Sequence, residues 1–124
     1  MGDTILVTGA AGQLGTFIVD AFSDRHVVAA HRAILDITDP DAVRRVVREV
    51  DPSAIINCAA FNDVDGAEDA PATALAVNAF AVRSLARAAA ACGAALVHYG
   101  TDFVLDGPVS APYRESDRPA PARG

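Results

Sequence analysis

Apolar residues along the chain alternate between two patterns. Ile5, Leu6 and Val7 form a short continuous run of the kind that makes a buried strand, and Leu14, Phe17, Ile18, Ala21 and Phe22 then recur at helical spacing. Further apolar runs predict strands from Val27 to His31, from Ala54 to Cys58 and from Ala94 to Tyr99. A second helix is written between the second and third runs. Asp39 is placed to cap it, Pro40 suits its first position, and Val43, Val46, Val47 and Val50 make one apolar face before Pro52 forbids continuation. A third helix begins near Pro71, carries Val77, Val82, Leu85 and Ala89, and stops at Gly93, a favoured C-terminal residue.

Strands that alternate with helices at this spacing predict an α/β protein with a doubly wound parallel sheet, and ligands in such sheets sit at the carboxyl ends of the strands. The expected strand order is 3-2-1-4. After Gly107 the character changes: Pro108, Pro112, Pro119 and Pro121 punctuate a polar stretch without periodicity. The domain expected is therefore residues 1–107, followed by a proline-rich loop over 108–124. No internal repeat is present.

The first strand runs into Gly9-Ala10-Ala11-Gly12-Gln13-Leu14-Gly15 and then a helix. This is a dinucleotide-binding turn of the Rossmann-like, NAD(P)-binding kind. Gly9 serves the tight turn, Gly12 the close approach of backbone to a pyrophosphate, and Gly15 the packing of helix on strand, while free amides at the helix start face the anion. NAD-selective sites place an acid at the end of the second strand, against the ribose 2′-hydroxyl. Here that place reads Ala29-Ala30-His31-Arg32. With no acid and with Arg32 able to pair with a 2′-phosphate, NADP(H) is favoured over NAD(H), the alternative being that Arg32 is a solvated loop charge. Asp36 falls where a loop would pass the adenine, and a turn-forming role ahead of the capped helix competes with that reading. Small residues at Cys58, Ala59 and Ala60 leave room for a cofactor backbone. Thr101 and Asp102 follow the fourth strand and read equally as catalytic-edge groups or as turn residues.

Charge and cysteine content exclude other classes. Ten basic against sixteen acidic residues give a net charge of -6, without the clustered cations a nucleic-acid surface needs. Arg44, Arg45 and Arg48 read as the solvated face of the second helix. Cys58 and Cys92 share no C-x-x-C spacing and His26, His31 and His98 no ligand pattern, so reduced thiols and no metal site are expected. No membrane span or leader pattern occurs, and the reading is a cytoplasmic protein. Every basic residue is Arg, and the chain has no Lys.

Five motifs in order carry a resemblance: Thr8 to Gly15; Leu35-Asp36-Ile37-Thr38-Asp39-Pro40; Ile56-Asn57-Cys58-Ala59-Ala60-Phe61-Asn62-Asp63 through to Glu68; Ala76-Val77-Asn78-Ala79; and Leu96-Val97-His98-Tyr99-Gly100-Thr101-Asp102 through to Gly107. Together they resemble the dTDP-4-dehydrorhamnose reductase family of extended short-chain dehydrogenases/reductases, over nearly the whole chain. The resemblance implies transfer of a hydride from NADPH or NADH to a 4-keto nucleotide sugar. It places the catalytic hydroxyl on Thr101, and cofactor contacts on Gly9, Gly12, Gln13, Leu14, Gly15, Asp36, Ile37, Ala59 and Ala60, with Arg32 added from the residues themselves. Asn78 matches a position with a structural or cofactor-side role.

The family's Tyr-x-x-x-Lys pair, which supplies the proton and holds the nicotinamide ribose, has no match. Tyr99 is followed four places on by Phe103 and Tyr113 by Asp117. The chain is accordingly read as the front portion of a reductase, with the fourth strand left as an edge open to self-association. Two alternatives are a non-catalytic NADP-binding regulatory module, as the beta subunit of methionine adenosyltransferase resembles this family, and another nucleotide-sugar epimerase or dehydratase.

Overall fold

The computed structural model describes residues 3–59, 72 and 76–99. Four parallel strands, β1 (Thr4–Thr8), β2 (His26–Ala30), β3 (Ala54–Asn57) and β4 (Ala95–His98), form one sheet. Helix α1 (Gln13–Ala21) joins β1 to β2 and α2 (Pro40–Val50) joins β2 to β3. A π-helical turn, Ala76–Phe80, leads into α3 (Ala81–Cys92) ahead of β4. The part of the third helix nearer Pro71, and the segment 108–124, lie outside the described residues.

The sheet order is β2-β1-β3-β4, which corrects the expected 3-2-1-4. Burial supplies the reason. Ile5, Leu6, Val7 and Thr8 of β1 are all buried, as are Ile55, Ile56 and Asn57 of β3, so both strands need cover on two faces and take the centre. In β2, by contrast, His26 and Ala29 are exposed, which suits the rim. The chain thus leaves β1 in one direction to build β2, crosses back over β1 through α2, and adds β3 and β4 on the other side.

Alternation along the central strands divides the core in two. Leu6 and Ile55 point to the side covered by α2 and α3, where Val43, Val47, Ala81, Leu85 and Ala89 are buried with Leu35 and Ile37 from the loop after β2. Ile5, Val7 and Ile56 point to the other side, against Ile18, Val19 and Phe22. Each fully buried aliphatic side chain contributes roughly 1.5–3 kcal/mol. The inward face is Gly15, Ile18 and Val19 of α1 with Phe22 just after its end, which corrects the pattern expected from the sequence, since Leu14, Phe17 (68%) and Ala21 are exposed. Gly15 sets that phase, because the closest contact between helix and turn falls where there is no side chain.

Helix ends follow their local chemistry. Asp39 Oδ1 accepts from the amides of Asp41 and Ala42 at 3.1 and 3.2 Å, as its capping position predicts. Gly93 ends α3 at φ 74° with Ala94 N donating to Ala89 O at 2.9 Å. Asp51 ends α2 in the left-handed region, at φ 48° and ψ 58°, without being glycine. Arg44, Arg45 and Arg48 are all exposed, Arg44 pairing with Asp41 one turn earlier. Both cysteines are free, and no group of metal-binding side chains occurs among the described residues.

Candidate functional site

Parallel strands bring their carboxyl ends to one edge, and the register aligns Thr8 with Ala30 on one side and with Asn57 on the other, then Asn57 with His98. The turns that follow these residues therefore share that edge: Gly9 after β1, His31 and Arg32 after β2, Cys58 and Ala59 after β3. The strand order reverses at β1 and β3, which is where doubly wound sheets open a crevice for ligands.

The three glycines that follow β1 are there for different reasons. Gly9 has φ 62°, and a Cβ there would lie 2.5 Å from Ala59 N and 2.6 Å from Ala59 Cα. At Gly15 a Cβ would overlap Gly9 O and reach within 2.7 Å of Ala10 Cα. Both glycines are required by contacts internal to the fold. Gly12 is not: it is exposed and extended, and its added Cβ would make only an ordinary contact, 3.4 Å from Gly9 O. Nothing within the fold therefore requires a glycine at this position.

The start of α1 has the matching electrostatics. No side chain caps it and its first turn holds no acid, whereas the start of α2 is closed by Asp39. Gly12 N donates to Gly9 O at 3.1 Å, tightening the turn, and Gln13 and Leu14 are exposed in the first turn. An anion at this point would meet uncapped amides and the positive end of the helix dipole.

After β2, His31 O accepts from the amides of Ile34 and Leu35, both at 2.9 Å, so the chain turns sharply and leaves His31 and Arg32 exposed. Asp36 is committed to its own turn: Oδ1 accepts from Thr38 Oγ1 at 2.6 Å and from Thr38 N at 3.0 Å. Those bonds hold its carboxyl below the ordinary carboxylate range, with a smaller lowering from Arg32. The turn-forming role of Asp36 is thereby visible. Ile37 is buried in the core at 4% exposure, so its backbone is what it could offer a ligand.

A polar network at the carboxyl ends of β1, β3 and β4 was not legible as a site in the sequence. Thr8 and Asn57 are buried at 0% and 2% exposure. Thr8 Oγ1 donates to Asn57 Oδ1 at 2.6 Å, Ala59 N donates to the same oxygen at 3.2 Å, and Asn57 Nδ2 lies 3.1 Å from His98 Nδ1. The backbone bond from Cys58 N to Thr8 O, 3.0 Å, reinforces the link. The signal available was a polar residue closing each of three apolar strands. Burial pushes the thiol of the neighbouring, half-buried Cys58 up. Ala60 and Thr101 lie outside the described residues, and the side chain of Asn78 is likewise not described.

Comparison with known proteins places this geometry. A dTDP-4-dehydrorhamnose reductase of Mycobacterium tuberculosis is 44% identical over 125 residues, covering 96% of this chain and 40% of its own length. One from Streptomyces griseus is 46% identical over 118 residues, covering 94% of this chain and 39% of its own. The chain thus spans about 40% of the length of the curated relatives it matches. Among solved structures, a dTDP-4-dehydrorhamnose reductase from Bacillus anthracis in complex with NADP superposes with a TM-score of 0.94 at 36% identity, over 99% of this chain and 45% of that one. The family model described as RmlD substrate binding domain matches residues 3–123, and with the parallel sheet, the glycine turn and the five motifs all in place, the chain belongs to that family.

Proposed function

We propose that this chain forms the NADP(H)-binding part of a dTDP-4-dehydrorhamnose reductase, in which a hydride passes from the nicotinamide to the C4 ketone of a dTDP-linked sugar. The observation that carries the reading is the pairing of an uncapped α1 start, beside the sterically unforced Gly12, with an exposed Arg32 and no acid at the end of β2. The amides of Gln13, Leu14 and Gly15 would receive the pyrophosphate, and Arg32 the 2′-phosphate. Gly9, Ala59 and Ala60 would form the floor under the cofactor, with Asp36 and the backbone of Ile37 on the adenine side. Thr101 would hold the sugar ketone by its hydroxyl.

On this reading residues 1–107 make the dinucleotide-binding domain and 108–124 a proline-rich connection, the partner is a nucleotide sugar, and the setting is the cytoplasm. No helix among the described residues is long and apolar enough to cross a membrane. The family relation and the NADP named with the Bacillus anthracis structure support the cofactor assignment. Calorimetric titration of the chain with NADPH and with NADH tests it. Arg32→Ala should weaken NADPH by about 1–3 kcal/mol, the scale of a charge-assisted hydrogen bond, and leave NADH nearly unchanged. Equal losses for both cofactors would remove Arg32 from the 2′-phosphate site.

A further inference from the structure

The hydrogen bonds around the buried Asn57 amide fix its orientation, and with it the role that the facing histidine nitrogen must play in their contact. Ala59 N is a backbone donor, so the Asn57 atom 3.2 Å away must be the carbonyl oxygen, which also receives Thr8 Oγ1 at 2.6 Å. The other end of the amide is then NH2, a donor, and it faces His98 Nδ1 at 3.1 Å. A ring nitrogen facing a donor must offer its lone pair. The bond therefore forms with Nδ1 unprotonated and the ring proton on Nε2, since an N–H at Nδ1 would set two donors against each other.

This bond is the outer link of a chain that crosses the site. His98 closes β4, Asn57 closes β3, Asn57 Oδ1 holds the amide of Ala59 in an Asx turn, and Ala59 N and Cα are the atoms that lie against the open face of Gly9. The geometry points to His98 as a positioning residue that, through Asn57, sets the Ala59 backbone against the Gly9 turn and so ties β4 to the dinucleotide-binding turn. His98 is exposed whereas Asn57 is 2% exposed, so a substitution at His98 perturbs the link from its solvent end and leaves the buried pair with Thr8 in place. Water replacing the ring would supply an acceptor without a fixed position.

The inference rests on the cofactor reading only for its effect on binding, and two of its readouts use the free chain. Long-range proton–nitrogen spectra of the chain without cofactor should show His98 Nδ1 unprotonated at neutral pH; a protonated Nδ1 overturns the proposal. Substitution separates position from mere packing, because the Asn amide oxygen falls near where Nδ1 was and the Gln oxygen near Nε2. His98→Ala and His98→Gln should speed hydrogen exchange at the Ala59 amide and weaken NADPH, each by about 3–10-fold, the scale of one hydrogen bond, and His98→Asn should restore both. Unchanged exchange in His98→Ala, or no rescue by His98→Asn, also overturns it. Should the wild-type chain bind neither NADPH nor NADH, the cofactor reading fails while the tautomer and exchange data still decide the linkage. If the variants do not fold, the wild-type spectrum decides alone.

Discussion

Alanine at Gly9, Gly12 and Gly93 should separate three causes that a glycine motif leaves superimposed. Gly9 and Gly93 both have positive φ, 62° and 74°, but a Cβ at Gly9 would strike the Ala59 backbone at 2.5 Å, whereas nothing lies within 4 Å of one at Gly93. Gly93→Ala therefore meets the left-handed cost alone, about 1–2 kcal/mol. Gly9→Ala adds an overpacking cost of about 1–3 kcal/mol, because a backbone neighbour cannot rotate away, for a total of about 2–5 kcal/mol. With a urea slope of about 2 kcal/mol/M, the midpoint should fall by about 0.5–1 M for Gly93→Ala and about 1–2.5 M for Gly9→Ala. Gly12→Ala should leave stability within about 0.5 kcal/mol, its backbone being ordinary and its contact unforced, yet weaken NADPH in the same preparation. Equal losses at Gly9 and Gly93 would refute the packing of Ala59 on the turn. Unchanged NADPH affinity in Gly12→Ala would refute the argument that this position is kept open for a ligand.

Two further outcomes concern the turns flanking α2. The Asp36 pKa is lowered chiefly by its bonds from Thr38, so folded Asp36 sits below the unfolded value of about 3.9. Its contribution to stability is present above that unfolded pKa and is lost as pH falls through the folded one. Urea melts between pH 6 and about pH 3 should show wild type losing stability relative to Asp36→Asn as acid is added. A constant difference across that range would deny the bond to Thr38. At the other end of the helix, Asp51→Gly should stabilise by about 0.5–1 kcal/mol, since glycine relieves the left-handed strain and removes a carboxylate from a helix C-terminus, and Asp51→Asn should gain less. A lower melting temperature for Asp51→Gly in calorimetry would count against the strain.

What the chain determines by itself is what is local. The three helices, the Asp39 cap, the Gly93 stop and the glycine turn depend on residues within a few positions of one another, so spacing and turn chemistry expressed them directly. Strand order does not have that property. Leu6 and Ile55 are neighbours across β1 and β3 although 49 positions apart, and which strands lie side by side depends on how many faces of each must be covered once the helices have docked. The expected order 3-2-1-4 would have set Ala59 two strands from Gly9, so that two residues assigned to one cofactor could not meet. The observed order brings them into contact. The same long-range pairing creates the buried link from Thr8 through Asn57 to His98: each residue taken alone is a polar strand end, and only when three strands align in register do their donors and acceptors come within reach and leave each buried group satisfied.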